Sequence, residues 1–204
     1  MKNYFSENTK PAFSFYPNIE KRNILGAAAQ SEANSVNYQL YDWNNTDQVE
    51  SIVESSLGSF DVSIATGALD LYNSSNNWLE YISMVSDIRT VCPVRHFAKI
   101  FQQNYTASEV SFYVAQETSP LEDDESGNVA DSSTDISAIF GLYEDQNFGN
   151  KLQSKFFQFV TGKIDKLGED VTVFDKEDAK DSDERCSFWM KTSEEIVPQF
   201  AKRF

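Results

Sequence analysis

Few side chains in this sequence could carry out nucleophilic or acid–base chemistry. The chain of 204 residues contains a single histidine, His96, and two cysteines, Cys92 and Cys186. A catalytic cysteine needs neighbours that stabilise its thiolate, but His96 follows Cys92 by four residues on a predicted apolar helix with no such cluster around it. We therefore interpret His96 as a structural histidine rather than a catalytic one.

Motifs for serine, metal and cofactor chemistry are also missing from the sequence. It contains no Gly-x-Ser-x-Gly nucleophile turn, no phosphate-binding glycine loop and no dinucleotide fingerprint. One histidine and two cysteines are too few for a zinc cage, and the acidic stretch at residues 122–133 lacks the ligand spacing of a calcium loop. We expect no cofactor and no metal, and we interpret the acidic stretch as a solvated loop.

The composition limits the kinds of molecule that this chain could bind. The net charge of −15 argues against nucleic acid and against an anionic membrane surface. A hydrophobic content of 40% is enough to build a core, but no apolar run is long enough for a membrane-spanning helix. Residues 1–15 interrupt any apolar block with polar residues and proline, so we predict no signal peptide in this sequence.

Although no signal peptide is predicted, three Asn-x-Ser/Thr sequons indicate the secretory pathway. They begin at Asn44, Asn73 and Asn104, and we predict glycosylation at these asparagines. The alternative is chance, because the chain is rich in serine and asparagine. Sequons without a signal suggest that the true N-terminus lies elsewhere.

The first half of the chain predicts one buried strand followed by helices. Residues 22–29 form a short apolar run of small residues, as in a buried strand of a parallel sheet. Thr46 is predicted to cap a helix that Gly58 ends, and a second helix carries Trp78 and Ile82. Cys92 and the proline after it are predicted to open a third helix.

The second half continues the alternation of strands and helices. In residues 110–115, Val110, Phe112 and Val114 alternate with Ser111, Tyr113 and Ala115, as in a strand with one buried face. A helical stripe that includes Leu152 and Phe159 follows and ends at Gly162. A short strand at residues 171–174 precedes a last helix that carries Cys186 and Trp189. With no repeat and no linker-like break, the sequence predicts an α/β layered architecture in one domain.

Several segments, taken together, resemble one enzyme family. Matching pieces occur in the same order over most of the chain, and each alone is modest. They are residues 23–34 (NILGAAAQSEAN), 41–43 (YDW), 86–97 (SDIRTVCPVRHF), 111–113 (SFY), 135–141 (DISAIFG) and 186–189 (CSFW). The chain thus resembles the C-terminal portion of the type-B carboxylesterases and cholinesterases.

The resemblance implies the C-terminal part of an α/β-hydrolase fold, with few, mostly parallel strands flanked by helices. Residues 1–204 would form a single partial domain, with residues 1–20 irregular or poorly ordered. Glu32 falls at the position of the triad acid, which in the family accepts the N–H of the catalytic imidazole. The family's histidine position falls at Ser132 when counted from Ile136 and at Ala130 when counted from Gly127, and neither residue is a histidine.

The cysteines fit the resemblance better than the triad does. The family joins the helix that begins with Cys-Pro to the Cys-x-Phe-Trp helix, so the resemblance implies a disulfide between Cys92 and Cys186. The alternative is two free buried thiols. The same resemblance implies a secreted or extracellular protein.

Three functional hypotheses follow. The first is a catalytically inactive C-terminal segment of a secreted carboxylesterase-like hydrolase, and the alternative is a non-catalytic cholinesterase-like adhesion or binding module. A third is an active esterase in which another chain supplies the serine and an unrecognised group acts as base. The missing N-terminal half or another protein would be the partner, since a partial sheet leaves an edge and apolar faces to cover.

Overall fold

The computed structural model describes residues 22–36, 38–58, 61–73, 76–104, 109–115, 129–142, 146–161 and 184–191. The predicted strand at residues 171–174, the N-terminal residues 1–20 and most of the acidic stretch lie outside these residues. Two strands are present in the described part, β1 (Arg22–Ala28) and β2 (Glu109–Ala115). They pair in parallel, with Arg22 opposite Glu109 and Ala28 opposite Ala115.

Helices surround this pair of strands, which confirms the α/β class. Two single 3-10 turns, Ala33–Ser35 and Tyr38–Leu40, follow β1 where the sequence predicts only a loop. The α-helices of the described residues are α1 (Thr46–Leu57), α2 (Val62–Leu71), α3 (Asn77–Ser86), α4 (Cys92–Asn104), α5 (Thr134–Ile139), α6 (Gln146–Val160) and α7 (residues 184–191).

Side chains at the N-caps explain where the first helices begin. The prediction that Thr46 caps α1 is wrong by one residue, because the side chain of Asn45 accepts a backbone N–H in the first turn. The side chains of Asp61 and Asn76 do the same for α2 and α3. These bonds satisfy N–H groups that have no partner within the helix.

Helix α2 is an element that the sequence pattern does not reveal. Its exposed polar residues, Ser63, Thr66 and Asp70, form only a narrow stripe, and the other residues of the helix are small or apolar. Gly67 lies against Phe188 of α7, and a Cβ at this position would come within 2.8 Å of the phenyl ring. The glycine is therefore explained by close packing of two helices.

The prediction that Cys92 opens a separate helix is wrong in one respect. Helix α4 does begin at Cys92, but a π-helical segment, Asp87–Val91, joins it to the end of α3. The Cys92 N–H donates to the Asp87 carbonyl, five residues back. Pro93 has no N–H and crowds the preceding turn of a regular helix, so a wider turn before it is physically reasonable.

Both faces of the strand pair are covered, whereas the alternation in residues 110–115 predicts one buried face. On one face, Tyr113 and Ala115 pack against Ala138 of α5 and against Leu152 and Phe159 of α6. On the other face, Ala27 and Val114 pack against Val91.

A further hydrophobic cluster joins α7 to helices of the first half of the chain. Trp189 packs among Val53, Leu57 and Ile88, and is 1% exposed. Cys92 and Cys186 form a disulfide with their Cα atoms 5.1 Å apart, which confirms the pairing that the resemblance implies. No helix of the described residues is long and apolar enough to cross a membrane.

Candidate functional site

The loop that follows β1 carries Glu32, the residue at the predicted triad-acid position. The Ala29 N–H still donates to the Ala115 carbonyl at 2.8 Å, which extends the strand pairing by one residue. The chain then turns, and the Glu32 N–H donates to Ser86 Oγ at the end of α3 at 3.0 Å. Glu32 therefore lies just beyond the carboxyl end of a parallel strand, where the sites of open α/β sheets form.

A second loop, residues 129–133, lies against the first. The Gln30 N–H donates to the Ala130 carbonyl at 2.8 Å, and the Ala130 N–H donates to Gln30 Oε1 at 3.0 Å. Asn34 Nδ2 donates to Asp131 Oδ2 at 3.4 Å. The structure thus brings together the loop of the predicted acid and the loop that contains both candidate positions for the family's histidine.

Neither candidate position could act as a base. Ala130 is fully buried at 0% exposure, and Ser132 is exposed. The histidine of the sequence, His96, lies on α4. Burial lowers the pKa of His96, and the nearby positive charge of Lys99 lowers it further. Asp131, between the two candidates, forms hydrogen bonds with Ser133 and Thr134 at the start of α5.

The Glu32 carboxylate is instead bound by side chains of the π-helical segment. Arg89 Nη1 donates to Glu32 Oε2 at 2.7 Å, and Thr90 Oγ1 donates to Glu32 Oε1 at 3.0 Å. The same Arg89 nitrogen lies 3.2 Å from Ser35 Oγ. The side chains of Arg89 and Glu32 are 11% and 22% exposed, so this ion pair is largely shielded from solvent.

This arrangement has a clear chemical meaning. A triad acid works by accepting an imidazole N–H and stabilising the imidazolium that forms during catalysis. Here a permanent guanidinium cation and a hydroxyl occupy the two carboxylate oxygens, so the local charge is already balanced. Glu32 is placed to tie the β1 loop to the π-helical segment.

Arg89 and Thr90 are not recognisable from the sequence as partners of Glu32. Both residues are within the segment 86–97 that carries the family resemblance, next to Cys92. A separation of more than fifty residues from Glu32 left no local pattern to find them.

The predicted glycosylation sites occupy different environments. Asn44 is exposed in the turn before α1, and Asn73 is exposed just after α2. Asn104 is the last residue of α4, and the other residues of its sequon lie outside the described part of the chain. The described residues contain no group of three or more His, Cys, Asp or Glu side chains that could hold a metal ion.

The chain thus has a partial α/β fold in which Glu32, the predicted triad acid, forms an ion pair with Arg89. The chain matches no protein-family model. Among curated proteins it is similar to neurotactin of Drosophila melanogaster, with 25% identity over 189 residues. The match covers 88% of this chain but 20% of neurotactin, so the chain spans about a fifth of the length of the relative it matches. This similarity agrees loosely with the cholinesterase-like resemblance of the sequence motifs.

Proposed function

We propose that this chain is part of a non-catalytic, cholinesterase-like binding module of the adhesion type. The observation that carries the proposal is the Arg89–Glu32 ion pair at the triad-acid position. The similarity to neurotactin supports a cholinesterase-like module without catalysis more than it supports an esterase.

The local geometry favours binding over ester hydrolysis. An imidazole that approached Glu32 would have to share a carboxylate whose charge Arg89 already neutralises, or displace Arg89 from it. Displacing Arg89 would leave a largely shielded charge without its counterion, which is unfavourable. The loop at residues 129–133 offers Ala130 and Ser132 where the base would stand, and neither can accept and return a proton near neutral pH.

An extracellular location fits the same proposal. A disulfide such as Cys92–Cys186 persists in oxidising compartments and is rare in the cytosol. The exposed asparagines of the sequons, Asn44 and Asn73, are accessible for glycan attachment. Similarity to neurotactin is compatible with this location.

The first arm of the test measures chemistry. The secreted chain is incubated with a chromogenic ester and, separately, with a serine-directed phosphonate that carries a fluorescent tag. We expect no turnover above the rate in buffer and no covalent label. Turnover by the chain that disappears in Glu32→Gln would overturn the proposal, because that substitution removes the charge while preserving the shape of the side chain.

The second arm measures binding. The chain is displayed in many copies on fluorescent beads, and the beads are added to untransfected animal cells. We expect saturable binding that excess unlabelled chain displaces and that unfolded, reduced chain does not show. Binding equal to that of beads coated with serum albumin, across a panel of cell types, would count against the adhesion role.

A further inference from the structure

A small apolar surface lies next to one of the predicted glycosylation sites. In the loop between β1 and α1, Leu40 is 66% exposed and Tyr41 is 39% exposed. The Tyr41 ring is positioned by an edge-to-face contact with Trp43, with the ring centres 5.5 Å apart. Asn44, the first residue of a sequon, follows Tyr41 by three residues. An ordered aromatic ring is therefore partly open to solvent beside the asparagine that would carry a sugar.

A tight turn separates Tyr41 from Asn44. The Asn45 N–H donates to the Asp42 carbonyl at 3.0 Å, which closes a β-turn over residues 42–45. Three residues span about 10 Å even when the chain is fully extended, and a turn shortens that distance. A sugar that extends from the Asn44 amide can therefore reach the Tyr41 ring.

Hydrogen bonds and packing hold this turn in one conformation. The Asp42 N–H donates to Gln48 Oε1 at 2.8 Å, and Asp42 Oδ1 accepts the Asn44 N–H at 3.1 Å. Trp43 is 7% exposed, and its carbonyl accepts a hydrogen bond from Asn77 Nδ2 at 2.9 Å. The Asn44 residue itself stays exposed. An ordered attachment point lowers the entropy that a sugar loses when it packs on a neighbouring ring.

The chemistry of an N-linked sugar fits this surface. The first sugar of an N-linked glycan is N-acetylglucosamine, whose ring carries axial C–H groups with a small positive partial charge. The face of a tyrosine ring is the negative part of its quadrupole, so the two rings attract each other, and their contact removes apolar area from water. Leu40 adds further apolar surface next to Tyr41.

We propose that the first sugar of a glycan on Asn44 packs on the exposed part of the Tyr41 ring and thereby stabilises the fold. The inference rests on the extracellular location proposed above and is independent of the binding role. The stabilisation comes from covering ring surface that the unglycosylated chain leaves in water. It requires Tyr41 to be aromatic, but it does not require the hydroxyl group.

The sequon at Asn73 is the matched control. Asn73 is also exposed, and a tyrosine, Tyr72, directly precedes it. Tyr72 is only 4% exposed, and its hydroxyl donates to Asp87 Oδ2 at 2.6 Å, so its ring offers no surface to a sugar. The two residues before Tyr72, Asp70 and Leu71, are not aromatic. A glycan at Asn73 should therefore add little stability.

The test compares the melting temperatures of glycosylated variants. The chain is secreted from cells that make high-mannose glycans and is trimmed with an endoglycosidase that leaves one N-acetylglucosamine at each site. Relative to trimmed wild type, Asn44→Gln should melt about 2 to 4 °C lower. Asn73→Gln should melt within about 1 °C of trimmed wild type. The effect of Asn44→Gln should disappear in a Tyr41→Ala background and persist in a Tyr41→Phe background.

Each outcome supports or overturns the proposed contact. An effect of Asn44→Gln that is equal with and without the Tyr41 ring, or no effect at all, overturns it. An unmodified Asn44 in a chain whose Asn73 carries a glycan overturns the contact alone, whereas a chain without any glycan also counts against the extracellular location. Ester turnover, which would overturn the proposed function, has no bearing on this contact.

A second measurement applies if Tyr41→Ala does not fold. In trimmed wild-type protein, nuclear Overhauser effects between the Tyr41 ring protons and the sugar protons report their proximity directly. Their presence supports the contact, and their absence overturns it.

Discussion

Removal of the Cys92–Cys186 disulfide should lower the stability of this fold strongly. The bond closes a loop with a sequence separation of 94 residues. In the chain-entropy treatment, a cross-link over a loop of this length limits the unfolded state enough to contribute about 4 to 5 kcal/mol. Natural domains have a total free energy of unfolding of about 5 to 15 kcal/mol, so the loss would be a large fraction of the total.

The direct measurement is urea unfolding followed by far-ultraviolet circular dichroism at 10 °C. The variant is Cys92→Ala combined with Cys186→Ala, because alanine leaves no polar group among the apolar side chains that surround both sulfurs. With a urea slope of about 2 kcal/mol per molar, we expect the midpoint to fall by about 2 M.

A reduced wild-type sample separates the cross-link from the packing of the sulfur atoms. Reduction with dithiothreitol breaks the bond but keeps both sulfurs, so its midpoint should lie close to that of the double alanine variant. If oxidised wild type and the double variant unfold within about 0.5 M urea of each other, the loop-closure argument is wrong for this protein. A large loss in the alanine variant without any loss on reduction would assign the effect to packing instead.

Three other predictions use the same expressed chain. Gly26→Ala should destabilise the fold by about 1 to 3 kcal/mol, since its Cβ would overlap the Tyr113 ring, and urea unfolding measures this loss. Arg89→Met should cost about 2 kcal/mol, because it removes a charge-assisted hydrogen bond from Glu32, and an unchanged urea midpoint would contradict the assigned role of this pair. Asn44→Gln should remove one glycan from protein secreted by animal cells, visible as a single step in mass that endoglycosidase treatment abolishes; equal masses before treatment would refute glycosylation at this site.

Local patterns in the sequence predict part of this fold well. The apolar spacing after Thr46 gives α1 with its observed end at Leu57, and the small apolar run gives β1. Local signals suffice there because one face of each element is buried and its flanking residues cap or end it. The resemblance, rather than any local signal, leads to the disulfide at Cys92 and Cys186.

Other features depend on contacts between distant residues and have no local signal. Helix α2 lacks a clear local pattern because small and apolar residues, some of which pack near α7, make up most of it and its exposed polar stripe is narrow. The π-helical segment Asp87–Val91 depends on one additional residue in a continuous helix, which hydrophobic periodicity does not resolve. Glu32 and Arg89 come together only in the folded chain. Their ion pair indicates that Glu32, the predicted triad acid, has a structural role.

The disulfide also determines what a protease could release from this molecule. Strand β2 and helices α5 and α6 all lie in the part of the chain between Cys92 and Cys186. A single cut anywhere in that interval leaves two pieces that remain one covalent molecule under oxidising conditions. Nicking there would be invisible on a non-reducing gel, and shedding of either piece would require a second event, which is reduction of the bond.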